Sequence, residues 1–87
     1  MTATAVSDGH ATLTLPNPDS GMLFRYKVAN ANAKPVVIYD MACTDSNGWV
    51  TMPSDRHIAG AAGQVVTVVE CTNVGYMARK KGEVTLR

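Results

Sequence analysis

From Ala11 to Ile38 the chain reads "ATLTLPNPDSGMLFRYKVANANAKPVVI", a set of short runs in which apolar and polar residues alternate. A period of two is the pattern of a strand with one face buried, and Val and Thr, stiff at χ1, favour the pleated surface over a helix. The runs predict strands over 2–6, 11–15, 22–29, 35–41, 49–52, 64–71, 76–79 and 83–86. In the second, Leu13 and Leu15 share one face and Thr12 and Thr14 the other. In the third, Phe24, Tyr26 and Val28 face one way and Leu23, Arg25 and Lys27 the other. The run from Gln64 to Cys71 is apolar on both faces, as a central strand covered on both sides would be.

Turn residues separate these runs. "SDG" ends the first, and "PNPDSG" forces a break because Pro16 and Pro18 lack ladder donors. "NANAK" reads as a loop. Asn47-Gly48 in "TDSNGW" is the strongest short hairpin signal in the chain. Gly60 and Gly63 make "RHIAGAAGQ" irregular, "TNVG" a turn, and "KKG" the tip of a last hairpin. No window carries a capped helical period. The expected fold is all-β, a small antiparallel β-sandwich or barrel-like fold of about seven or eight short strands with no significant helix.

Composition changes this picture in one respect. Of 87 residues, 46% are hydrophobic but only 6% aromatic, and much of the apolar total is Ala and Val. A single domain of this size has a thin core, and burial gained from neighbouring subunits is expected. Residues 1–8 read as an N-terminal arm. Thr2, Ala3, Thr4, Ala5 and Val6 are small and without polar anchors, and they suit addition of a strand to a neighbour.

Charge excludes partners rather than naming them. A net charge of +1, from 8 basic and 7 acidic residues, is no footprint for nucleic acid or an anionic membrane. No apolar run is long enough to span a bilayer, and "MTATAVSDGH" lacks the basic and apolar regions of a secretory signal. The one basic cluster is Arg79, Lys80 and Lys81, expected as a charged hairpin tip that also discourages edge pairing. Its functional alternative is docking to an acidic partner surface.

Candidate chemistry is sparse. His10 and His57 each follow an aspartate by two residues, Asp8 and Asp55. A shared metal site would need their two loops to meet at one end of the sandwich; otherwise both are solvated turn residues. Asp45, Asn47 and Gly48 sit at calcium-loop offsets, but Cys43 stands at the first ligand position and Ser54 where the bidentate Glu belongs. Cys43 and Cys71 read as buried thiols, with one disulfide as the alternative. Glu70 and Glu83, the only glutamates, are not paired for acid–base work. No catalytic, cofactor-binding or metal-binding residue is assigned, and an enzyme is not expected.

The order "TLTLPN…G…FRYKVANANAKPVVI…IAGAAGQVVTVVECTNVGYMA" resembles a module of bacteriophage virion proteins, covering roughly Gly9 to Ala78. In fibre members the last segment ends in a Trp-Tyr pair, where this chain has only Tyr76. The resemblance implies a small β-sandwich or β-prism knob that assembles as a homotrimer, with no catalytic residues or cofactor to carry over. A chain that begins at its own Met without a shaft repeat points to a capsid decoration or cement protein. It would be made in the bacterial host cytoplasm and bound to the major capsid protein at the virion surface. A tail- or head-fibre receptor-binding knob is the alternative, with Trp49 and Tyr39 as its candidate sugar platform. A secreted hydrolase inhibitor presenting "NPDSGM" or "SNGW" is a third reading, and it requires export and a Cys43–Cys71 bridge.

Overall fold

The computed structural model describes all 87 residues, and its core is organised around one strand. That strand is β6 (Gln64–Thr72), in which every residue from Val65 to Cys71 is buried. On one side β6 pairs along its full length with β3 (Met22–Asn30), from Met22↔Thr72 to Asn30↔Gln64. On the other it pairs with β7 (Ala78–Thr85). The short β4 (Val50–Thr51) completes a four-stranded antiparallel sheet in the order β4-β3-β6-β7. A three-stranded antiparallel sheet packs against it in the order β1-β2-β5, from β1 (Thr2–Ala3), β2 (His10–Thr14) and β5 (His57–Ala59). The all-β sandwich expected from the alternation is present, with seven strands and only two one-turn 3₁₀ helices, at Ala31–Ala33 and Asp45–Asn47.

Between the sheets, Ala11 and Leu13 of β2 and Ile58 of β5 meet Val66 and Val68 of β6 and Leu86 beyond β7. Phe24, Tyr26 and Val28 pack against this cluster, the face of β3 that their alternation assigns to the core. The cluster is small: 16 of 87 residues are buried in the whole chain, which leaves the thin core that the composition implies. The packing is nevertheless close. A Cβ on Gly60 would lie 2.5 Å from Leu86 Cδ1, so glycine there is a matter of space rather than of turn geometry.

Four expectations differ from the observed chain. Residues 35–41 form no strand. Pro35 offers no ladder donor, and the segment's main-chain hydrogen bonds to the sheet are only those from Asp40 N–H to Ala78 O and from Ala78 N–H to Met41 O. The segment alternates as far as Ile38, with Val37 turned inward and Val36 and Ile38 outward, then turns at Tyr39 and Asp40 before Met41 packs inward, and it serves as an irregular cover. Consequently Asn47-Gly48 has no incoming strand to turn back. Asp45–Asn47 makes a 3₁₀ turn that Gly48 closes in the left-handed region at φ 86°, donating to Asp45 O.

"KKG" is not a turn either. β7 runs unbroken through Lys80, Lys81 and Gly82, and Gly82 lies opposite Val68 with Met1 Cε close to where its Cβ would be. A Cβ there would be in ordinary contact at 3.5 Å, so this is simply a glycine inside a strand, which sequence punctuation reads as a break. The fourth difference is β5, within the segment expected to be irregular. Three residues with one inward side chain, Ile58, are too few to register as a period.

Exchanging a core side chain separates this packing from surface effects. Leu13→Ala is expected to cost about 2–5 kcal/mol in urea unfolding, the range for buried leucine truncation. Val74→Ala, at the most exposed large apolar residue, is expected to stay within about 0.5 kcal/mol.

Candidate functional site

The face of the four-stranded sheet away from the sandwich carries the less expected structure. β3 turns Leu23, Arg25 and Lys27 to this face and β6 turns Thr67, Val69 and Cys71, by their register. Over them lies the irregular segment 34–49, forming a second core of Cys43, Trp49, Val69 and Ala78 with Val37, Met41 and Tyr76 packed against it.

Arg25 organises this cover, on the face of β3 that it shares with Leu23 and Lys27. Only 2% of it is accessible. Nη1 donates to Thr51 Oγ1 at 2.8 Å, and Nη2 donates to Trp49 O at 2.8 Å and to the Asp45 carboxylate. The Tyr76 ring lies over the guanidinium, 4.3 Å from its carbon. Tyr76 holds that position at φ 51°, a left-handed backbone uncommon for an aromatic residue, directly after Gly75 at φ 79°. One buried cation therefore ties β3, β4, the Asp45 turn and the loop between β6 and β7 together. Its Nε and the neighbouring Thr67 Oγ1 have no protein partner.

Outside this cover the side chains turn apolar. Val36, Ile38 and Tyr39 are 79%, 64% and 69% exposed, an unusual run of large apolar groups in water for so small a chain. The ridge adjoins Arg79, Lys80 and Lys81 through a shallow groove lined by Val37, Ile38 and Tyr39 on one side and the three cations on the other. The Arg79 guanidinium lies 4.9 Å from the Tyr39 ring centroid and bonds to the Asp40 carboxylate.

The three predicted cations thus stand together on the open edge of the sheet, not at a hairpin tip. Their roles differ. Lys80 is 3.5 Å from Asp19 and 3.8 Å from Glu70, at the mouth of the sandwich. There a cleft of about 300 Å³ is lined by Leu15, Phe24, Val68 and the nearly buried Glu70, whose Oε2 accepts from Asp19 N–H at 2.7 Å. Lys81 points to the outer face opposite Val69.

The arm residues Thr2, Ala3, Thr4, Ala5 and Val6 lie on their own molecule. Thr2 and Ala3 pair with Thr14 and Leu13. Thr4 N–H donates to Thr12 O, Val6 N–H to Arg87 O, and the Arg87 guanidinium to Ala3 O. The small side chains that suit donation to a neighbour suit this in-chain edge equally, and nothing in the pattern distinguishes the two.

The histidine loops do meet. His10 and His57 stack with ring centroids 4.9 Å apart and planes 7° from parallel. The aspartates do not join them as a third ligand: no cluster of three or more His, Cys, Asp or Glu able to hold a metal ion is present. Trp49 is buried, which removes it as a sugar platform and leaves Tyr39 exposed. No helix is long and apolar enough to cross a membrane.

Both cysteines are free and buried, without the bridge that the inhibitor reading requires. Burial pushes the Cys43 thiol up, with the Arg25 charge pulling back. Burial, followed by the neighbouring Cys43, pushes Cys71 up to about 11. Neither is therefore poised as a nucleophile.

Two outcomes follow for this face. Arg25→Ala is expected to cost about 2–4 kcal/mol by urea unfolding, since it strips the buried Trp49 carbonyl of its donor and empties the space beneath Tyr76. Asp45→Asn, at a side chain 88% exposed, is expected to cost at most about 1 kcal/mol. The thiols should be inert to iodoacetamide at pH 8 in the folded protein and react on unfolding. Because the unfolded thiol releases its proton first, the Cys71 contribution to stability is full below pH 9.0 and falls as pH rises toward about 11. Unfolding curves at pH 8 and pH 10.5 measure it.

No family model, no curated protein and no solved structure matches this chain.

Proposed function

We propose that the chain is a bacteriophage structural protein, a decoration or cement protein that stabilises the head shell as a homotrimer on the major capsid protein. The observation that carries the reading is the exposed ridge of Val36, Ile38 and Tyr39 beside Arg79, Lys80 and Lys81. A chain that buries so little of itself while leaving a Tyr, an Ile and a Val in water has most to gain by association. Removing each such side chain from water is worth about 1.5–3 kcal/mol, so three of them on each copy offset a substantial part of the cost of assembly. Arginine and tyrosine side by side are the residue types that anchor interfaces, and the adjacent lysines suit an acidic coat surface. The resemblance of the strand and turn order to phage virion modules supports the same reading.

A receptor-binding fibre knob is the second reading, favoured by the exposure of Tyr39 between Arg79 and Asp40. Binding to a host glycan array would favour it over decoration.

Light scattering on the purified chain is expected to give three times the monomer mass. The protein is also expected to co-sediment with expanded capsids and not with precursor capsids. Ile38→Asp with Tyr39→Ala should leave the circular dichroism spectrum intact and abolish both properties. A stable monomer that ignores capsids overturns the proposal.

A further inference from the structure

The histidine pair supports an inference independent of the assembly reading. His10 and Thr12 of β2 and His57 and Ala59 of β5 are ladder partners in the pairs His10↔Ala59 and Thr12↔His57, so the two imidazoles are diagonal neighbours on one exposed face. Backbone hydrogen bonding of the two strands holds their Cα atoms in place before any ligand arrives.

The protons on the two rings follow from what each Nδ1 touches. His10 Nδ1 lies 2.9 Å from the carbonyl oxygen of Asp8. A carbonyl only accepts, so the neutral ring carries its proton on Nδ1 and leaves Nε2 with a bare lone pair. His57 Nδ1 lies 3.2 Å from Thr12 Oγ1, a hydroxyl able to accept the same kind of bond. Histidines that ligate metals are held in this way, with one nitrogen donating to a carbonyl or hydroxyl and the other free.

The surroundings favour positive charge. The Asp55 carboxylate stays beside the pair, accepting from His57 N–H at 3.0 Å. The nearby Arg56 guanidinium is turned away over the Phe24 ring, 5.4 Å from its centroid.

We propose that His10 and His57 form a two-imidazole site for a borderline divalent transition-metal ion, Zn²⁺, Ni²⁺ or Cu²⁺, bound through both Nε2 atoms. Two neutral nitrogens select these ions over Mg²⁺ and Ca²⁺, which take oxygen ligands. Metal–nitrogen distances of about 2.0–2.1 Å require the rings to swing from their parallel stack so that the Nε2 atoms converge. That motion involves side chains only. Two coordination positions remain for water. The thiols do not compete, because Cys43 and Cys71 are buried in the second core.

Zn²⁺ is the probe. Isothermal titration of the whole chain should show saturable binding, and long-range ¹H–¹⁵N spectra of the imidazoles should show the Nε2 resonances of both rings moving on titration. His10→Ala and His57→Ala, each at an exposed position, should each lower the affinity at least tenfold and remove the rise in Tm that saturating Zn²⁺ produces in the unaltered chain. Absence of saturable binding to 1 mM Zn²⁺, unchanged affinity in either variant, or shifts confined to Nδ1 overturns the proposal. The spectra of the unaltered chain decide the matter even where a variant fails to fold.

Discussion

The structure depends on β6 being buried on both of its faces. An antiparallel sheet with one wet face needs a single layer of cover, but Val66 and Val68 on one side and Val69 and Cys71 on the other cannot both be left in water. The second sheet covers the first side. Nothing in so short a chain supplies a third sheet, and the other side is closed by loop. An irregular segment packed on apolar surface must satisfy its own main-chain groups, and that requirement explains the buried arginine. Arg25 supplies the donor that the buried Trp49 O needs, reaches Thr51 Oγ1 and the exposed Asp45 carboxylate with the rest of its fork, and still packs its flat guanidinium beneath Tyr76.

The outer surface follows from the same constraint. A segment that turns Val37 and Met41 inward without a neighbouring strand has to turn Val36 and Ile38 outward, because extended backbone alternates. Val36 and Ile38 are thus the reverse side of the cover over β6, and the turn at Tyr39 and Asp40, where Asp40 sits at φ 67°, adds Tyr39 to the ridge. The two halves of the segment carry different duties: its inner residues stabilise the monomer and its outer ones are left for a partner.

Much of the architecture was legible in the sequence because it rests on local alternation. β2, β3 and β6 lie where their Val, Thr and aromatic runs place them, and β6 is central as its two apolar faces demand. What was not legible depends on contacts between distant residues. The 35–41 run alternates like a strand, yet Pro35 and the lack of a ladder partner leave it unpaired. Asn47-Gly48 supplies a left-handed residue, and whether that makes a hairpin depends on a strand this chain lacks. Arg25 alternates with Phe24 and Tyr26 on the face away from the sandwich, and its burial there comes from Trp49 and Tyr76, 24 and 51 residues away. Of the candidate site residues, Arg79, Lys80 and Lys81 could be found as a cluster, whereas their place on a sheet edge beside Tyr39 could not. The histidine loops announced themselves by matching Asp-x-His spacing, and only the pairing of β2 with β5 brings the rings into contact.

One irregularity in β7 sets which residues serve which side. Cys71 pairs with Ala78 while Glu70 pairs with Lys80, leaving Arg79 as an extra residue in the ladder. The bulge works as a phase shifter. Before it an even-numbered residue, Ala78, faces the outer core; after it Lys80, Gly82 and Val84 face the sandwich. A single strand is thereby stitched into both cores, its first turn of phase belonging to the loop cover and its remainder to the second sheet. Flattening the bulge, with Arg79 taken into the ladder opposite Glu70, would leave the length nearly unchanged and invert the strand's allegiance, sending Lys81 and Glu83 into the space that Gly82 and Val84 occupy.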